Sequence, residues 1–133
     1  MCARLHLNGV DDGLGAHISL FLVLMKGKHD GILSWPFPFR IIFNLYDQTD
    51  KKQHIIDTFR PDVRSSSFQR PSLEMNIASG IPKFCPLAII EQENNPYIRE
   101  NSIYIKIMVD FSEVPNDVLP LASNLNPGIS IHR

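Results

Sequence analysis

The 133-residue chain reads as all-β, an antiparallel sandwich. Two observations carry that reading. Three segments, Ala3–Leu7, Phe39–Tyr46 and Ile103–Val109, alternate apolar and polar residues with the period of two that puts every second side chain on one face of a strand. No stretch sustains the helical spacing of apolar residues, while Gly, Pro, Asn and Asp clusters separate the short runs. The length suits one domain, and 44% hydrophobic with 20% charged residues is a globular balance.

Taken in order, the first strand places Ala3, Leu5 and Leu7 on one face and Arg4 and His6 on the other, the pattern of a half-buried strand, and closes at Asn8-Gly9, a strong turn signal. Val10–Gly15, with two Gly and two Asp, is a loop. His17–Lys26 is apolar enough for a buried strand ended by Gly27. Two prolines around Trp35 and Phe37 bar Ile32–Phe39 from being a regular central strand. Phe39–Tyr46 follows as a strand and Asp47–Lys52 as a polar turn. His54–Phe59 reads equally as a short strand or a helical turn. Arg60–Gly80 has no sustained period; loops of that length are usually functional or partly ordered. Ile81–Ile90 is short and apolar, Glu91–Asn101 is polar with room for a helical turn, and Ile103–Val109 is the last strand. The domain is expected over 1–114, and 115–133, with three prolines among Asn and Ser, is expected to be a poorly ordered tail. A strand that starts at residue 3 with no lead-in suggests a chain that begins inside a domain.

Thirteen Lys and Arg against fourteen Asp and Glu leave a net charge of −1, which gives no electrostatic footprint for nucleic acid or an anionic membrane. The longest apolar stretch, Ile18–Met25, is far short of the roughly 20 residues of a membrane helix, and no secretory signal is visible. Two cysteines, Cys2 and Cys85, and no Asn-x-Ser/Thr acceptor fit a reducing cytoplasm. No cofactor or metal is expected: five histidines show no paired spacing, and the glycines at 9, 13 and 15 are followed by no Lys-Ser/Thr and no helix. His54, Asp57 and Ser66 supply the residue types of a hydrolytic triad, but no nucleophile elbow surrounds any serine, and an enzyme is not expected.

Arg60–Gly80 is the informative segment. Ser65, Ser66 and Ser67 are three consecutive small hydroxyls, donors and acceptors without bulk, between Phe59 and Phe68. Such a group can hold an amide side chain of an extended peptide, with a neighbouring strand edge adding main-chain hydrogen bonds. The residues alone favour the plainer alternative, a solvated serine-rich loop whose phenylalanines lie in the core.

A set of motifs goes further: Leu7-Asn8-Gly9, His17-Ile18-Ser19-Leu20-Phe21, Met25-Lys26-Gly27, Trp35-Pro36-Phe37, Asp47-Gln48, Phe59-Arg60-Pro61-Asp62, Ser65-Ser66-Ser67-Phe68-Gln69-Arg70-Pro71 and Met75-Asn76-Ile77-Ala78-Ser79-Gly80. In order and spacing, from about Met1 to Val114, the chain resembles the C-terminal (TRAF-C, or MATH) domain of the tumour-necrosis-factor-receptor-associated factors. The resemblance implies an eight-stranded antiparallel sandwich, a cytoplasmic signalling adaptor, and binding of receptor and adaptor tail peptides of the Pro-x-Gln-x-Glu/Thr type. By motif position, Ser65, Ser66 and Ser67 resemble the clamp for the peptide's Gln or Glu. Phe21, Phe59 and Phe68, with Ser79, resemble the pocket for its leading Pro. Gly80 lies on the edge that pairs with its backbone, and Arg4 faces its acidic end, where a bidentate guanidinium suits a carboxylate.

His6 stands where the family usually has Tyr, and Val10-Asp11 where it usually has Asp-Gly. Both lie at the acidic end of the groove, so weaker or pH-dependent binding is expected there. The family domain also has about two strands before Arg4, and before those a coiled coil, zinc fingers and usually a RING. The chain is thus expected to be an N-terminally truncated sandwich; the family's homotrimer, which an upstream coiled coil supports, is left open, and the RING's ligase activity is not carried over to it. The runner-up readings are a MATH-type substrate-recruiting module of a ubiquitin ligase, and a competitor or inert fragment.

Overall fold

The computed structural model describes residues 1–112. The domain end expected at residue 114 and the tail expected over 115–133 lie outside the described residues.

Six strands run β1 (Cys2–His6), β2 (His17–Val23), β3 (Arg40–Leu45), β4 (Ile55–Phe59), β5 (Ser79–Pro86) and β6 (Ile105–Asp110), with one short helix α1 (Leu87–Ile90). They form two antiparallel three-stranded sheets, ordered β1-β2-β5 and β4-β3-β6. The two central strands supply the core between the sheets. Leu20 and Leu22 of β2 meet Ile41, Phe43 and Leu45 of β3, all at most 3% exposed, with Phe84, Cys85 and Phe68 closing the cluster. Phe43 sits at its centre, edge-on to Phe84 across the sheets and tilted against Phe59 beside it. The expected sandwich is therefore present, and the alternation in Phe39–Tyr46 assigns its faces correctly.

Three expectations are corrected and one open choice is resolved. The Ala3–Leu5–Leu7 face does share the side of Leu20 and Leu22, its cross-strand partners, but it is not buried: Leu7 is 63% exposed. The reason is that β1 is an edge strand and contributes no residue to the core cluster. Strand β2 stops at Val23 rather than Lys26. Beyond it the backbone turns to bond the Glu74–Asn76 segment, with Asn76 N–H donating to Leu24 O and Lys26 N–H to Glu74 O. The open choice at His54–Phe59 resolves as strand, paired along β3 from Ile55 to Phe59. The helical turn expected within Glu91–Asn101 lies earlier, at Leu87–Ile90, where Pro86 precedes a turn it can start but not continue. Asn95 organises the segment after it, donating to Ile90 O and accepting from the N–H groups of Tyr97 and Ile98.

The polar turn after β3 is built around Asp47, a buried carboxylate. It accepts from Thr49 Oγ1 and N–H and from Gln53 N–H. Those bonds, the Thr49 hydroxyl first, hold its pKa below the ordinary carboxylate range.

At the other end of β3, Arg40 pairs with its register partner Asp110 on β6. The Asp110 carboxylate also accepts from Ser112 N–H, and Ser112 first, then Arg40, lowers its pKa to about 2. A depressed carboxyl stabilises the fold above its unfolded pKa of about 3.9 and loses that contribution as pH falls towards about 2. Asp110→Asn should therefore flatten the pH dependence of the unfolding midpoint between about pH 4 and pH 2. Parallel wild-type and mutant curves through that window would disprove the assignment.

Candidate functional site

The outer face of the β1-β2-β5 sheet carries the first group of expected residues. Since Leu20 and Leu22 point into the core, Phe21 points the other way. Register places Arg4 of β1, Phe21 of β2 and Gly80 of β5 in one lateral row. His6, one position along on the same face of β1, packs edge-on against Phe21 with 5.7 Å between centroids. Arg4 is exposed, whereas Phe21 is only 8% exposed.

Gly80 explains how close these strands come. A Cβ there would stand 2.3 Å from Leu20 O and 2.6 Å from Phe21 Cα. Only a residue with no side chain lets β5 lie against β2 at this point. On its other side β5 has no neighbouring strand among the described residues. Among the described residues the Ser79–Gly80 end is thus a sheet edge.

The loop after β1 covers the near end of this face. Ser19, fully buried on β2, accepts from Val10 N–H at 2.9 Å and donates to Pro82 O at 2.6 Å. This one hydroxyl ties the loop, β2 and β5 together. Asp11 sits next in that loop, exposed and in the left-handed region with φ 51°.

The serines form the second group. Ser66–Phe68 is a single 3-10 turn with Ser65 as its cap, the Ser65 hydroxyl accepting from Ser67 N–H. The three hydroxyls therefore do not share one environment. Ser65 is half-buried and engaged in capping, Ser66 is exposed, and Ser67 is buried. Phe68 belongs to the core, between Phe37 and Phe59, and its carbonyl accepts from Phe37 N–H at 2.8 Å. Phe59 packs against the same core. Both rings thus anchor the serine turn from beneath. Upstream, Asp62 braces Arg64, whose N–H and then guanidinium hold its carboxyl below the usual range.

Asn76 joins the two groups. Its amide donates to Ser67 O at 3.1 Å and Gln69 O at 2.8 Å, while its own N–H is bonded to Leu24 O. The chain then runs through Ile77, 72% exposed, into Ser79 and the β5 edge. Asn76 and Ile77 lie in the Met75–Gly80 motif, but residue types alone do not show what they do. A central Asn in a polar loop gives no signal of what it will bridge, and an exposed Ile is visible only once burial is known.

Residues 1–106 match the profile described as TRAF/meprin, MATH domain. The chain belongs to that family. It is 52% identical over 112 residues to human TNF receptor-associated factor 2, covering 84% of this chain and 22% of that protein. It is 46% identical over 114 residues to mouse TNF receptor-associated factor 5, covering 86% of this chain and 20% of that protein. Among solved structures it resembles TRAF5 of Notothenia coriiceps, with TM-score 0.76 and 39% identity over 81% of this chain and 54% of that one. The MATH domain described here thus spans about a fifth of the length of the curated relatives it matches.

Gly80→Ala should force β5 away from β2, because the new methyl meets backbone rather than a yielding side chain. Strain of this kind costs about 1–3 kcal/mol. Urea unfolding of the variant should show that loss, and an unchanged midpoint would mean that the two strands are not so close.

Proposed function

We propose that this MATH domain is a non-enzymatic adaptor module that binds short extended peptides of the Pro-x-Gln-x-Glu/Thr type, from the cytoplasmic tails of tumour-necrosis-factor-receptor-like receptors and their adaptors. The observation that carries the proposal is the β5 edge at Ser79–Gly80, which no further strand pairs among the described residues, flanked on one side by Arg4 over a buried Phe21 and on the other by the serine turn that Asn76 holds in place. An extended peptide added to that edge gains main-chain hydrogen bonds, and alternate side chains reach the flanking groups. Ser66 and Ser67 offer hydroxyls for an amide, Ile77 and Phe21 an apolar wall, and Arg4 a bidentate donor for a carboxylate. The 52% and 46% identity to proteins named TNF receptor-associated factors supports the receptor-tail class over a substrate-recruiting MATH module. The hydrolytic alternative loses its geometry: His54 Nδ1 accepts from Asp47 N–H in the turn after β3, and Asp57 bonds its neighbour Thr58 N–H. Among the described residues neither is hydrogen-bonded to a serine.

Two outcomes test this. A Pro-x-Gln-x-Glu peptide should shift the amide resonances of Ser65–Phe68 and Ser79–Gly80, and Ser66→Ala/Ser67→Ala should weaken binding at least tenfold with little change in folding. Dispersed spectra that ignore the peptide would refute the reading. The imidazole of His6 stands beside Arg4 on the same face of β1, edge-on to Phe21, at the peptide's acidic end in this reading. His6→Tyr should therefore change affinity for the Glu peptide more than for the matching Gln peptide. Equal effects on both peptides would exclude a role for His6 at that end.

A further inference from the structure

Resting on the peptide reading above, we propose that Met75 is a positioning residue: its sulfur aims Arg4, and so sets the preference of the groove for an acidic residue at the peptide's end. Arg4 lies exposed on an edge strand, where a long side chain ordinarily samples many rotamers. Here one guanidinium nitrogen of Arg4 donates to Met75 Sδ at 3.0 Å, across 71 positions of sequence. Both ends of that contact are anchored. Arg4 is fixed by its pairing with Phe21. Met75 is fixed by a backbone bridge to Met25, with the bonds from Lys26 N–H to Glu74 O and from Asn76 N–H to Leu24 O on either side.

The chemistry of the acceptor is what makes the contact useful. Among the described residues no carboxylate forms an ion pair with Arg4. A carboxylate in the place of Met75 would orient the guanidinium but also neutralise it and occupy two of its donors. A thioether is a weak, uncharged acceptor. It restrains the side chain while leaving the full positive charge and most of the five N–H donors for an incoming carboxylate. Part of the ordering cost of Arg4 is then met before peptide binds.

The test compares wild type with Met75→Leu, which keeps volume and apolarity and removes the acceptor. Met75 is 40% exposed and outside the core, so the variant should fold normally. Without peptide, the Arg4 Nε–Hε NMR resonance should be sharp and dispersed in the wild type and move to the position of a free arginine in Met75→Leu. Affinity for a Pro-x-Gln-x-Glu peptide should fall about threefold, while that for the matching Pro-x-Gln-x-Gln peptide stays level. Adding Met75→Leu to Arg4→Ala should cause no further loss. An Arg4 resonance indifferent to Met75→Leu, or equal weakening of both peptides, overturns the inference. Failure of wild type to bind either peptide would instead overturn the peptide reading and the selectivity assigned to this pair, and the resonance alone would then decide the positioning.

Discussion

From Ile18 onwards, strand β2 is buried on both faces. Its inner side chains, Leu20 and Leu22, fill the space between the sheets, and its outer ones, Ser19, Phe21 and Val23, are covered from outside. Burial of apolar side chains on two sides is the main stabilising term for so small a sandwich. It also sets what every neighbour has to do. Gly80 lets β5 approach without a side chain. The buried Ser19 hydroxyl accepts from Val10 N–H and donates to Pro82 O, so its own polar atom is paired. The Glu74–Asn76 segment closes the end of the strand. The candidate site is assembled from these same parts.

The serine turn shows how a loop gains a fixed geometry without regular structure. Its aromatic residue is planted in the core, stacked on Phe37 and tilted against Phe59. Its carbonyls are tied by one amide, Asn76. Its own first hydroxyl caps it. Packing supplies the anchor and local hydrogen bonds supply the orientation, which leaves exposed groups such as Ser66 free for a ligand.

Much of this was legible in advance, and for identifiable reasons. The alternation of Ile41, Phe43 and Leu45 with polar or half-buried neighbours predicts a two-faced strand because one sheet face meets the core and the other does not. The motif series from Leu7 to Gly80 carried the family, and with it the sandwich. The misreadings are as instructive. Ala3, Leu5 and Leu7 alternate like a buried face, yet lie beside the core rather than under it. Periodicity reports which side chains share a face; it contains no information about what lies over that face.

The limit is sharpest at the site. Sequence order alone established an all-β chain with a hydroxyl run, a Gly at the end of a loop and an Arg on the first strand. It did so because period, turn residues and motif spacing are local properties that the chain writes into adjacent positions. The meeting of Arg4 with Met75, of Asn76 with Ser67, and of Val10 with Ser19 came only with the folded sheets. These contacts join residues far apart or on opposite sides of a loop, and depend on register, strand order and burial. Those are settled by how two sheets close around Phe43, and no pattern along the chain encodes that closure position by position.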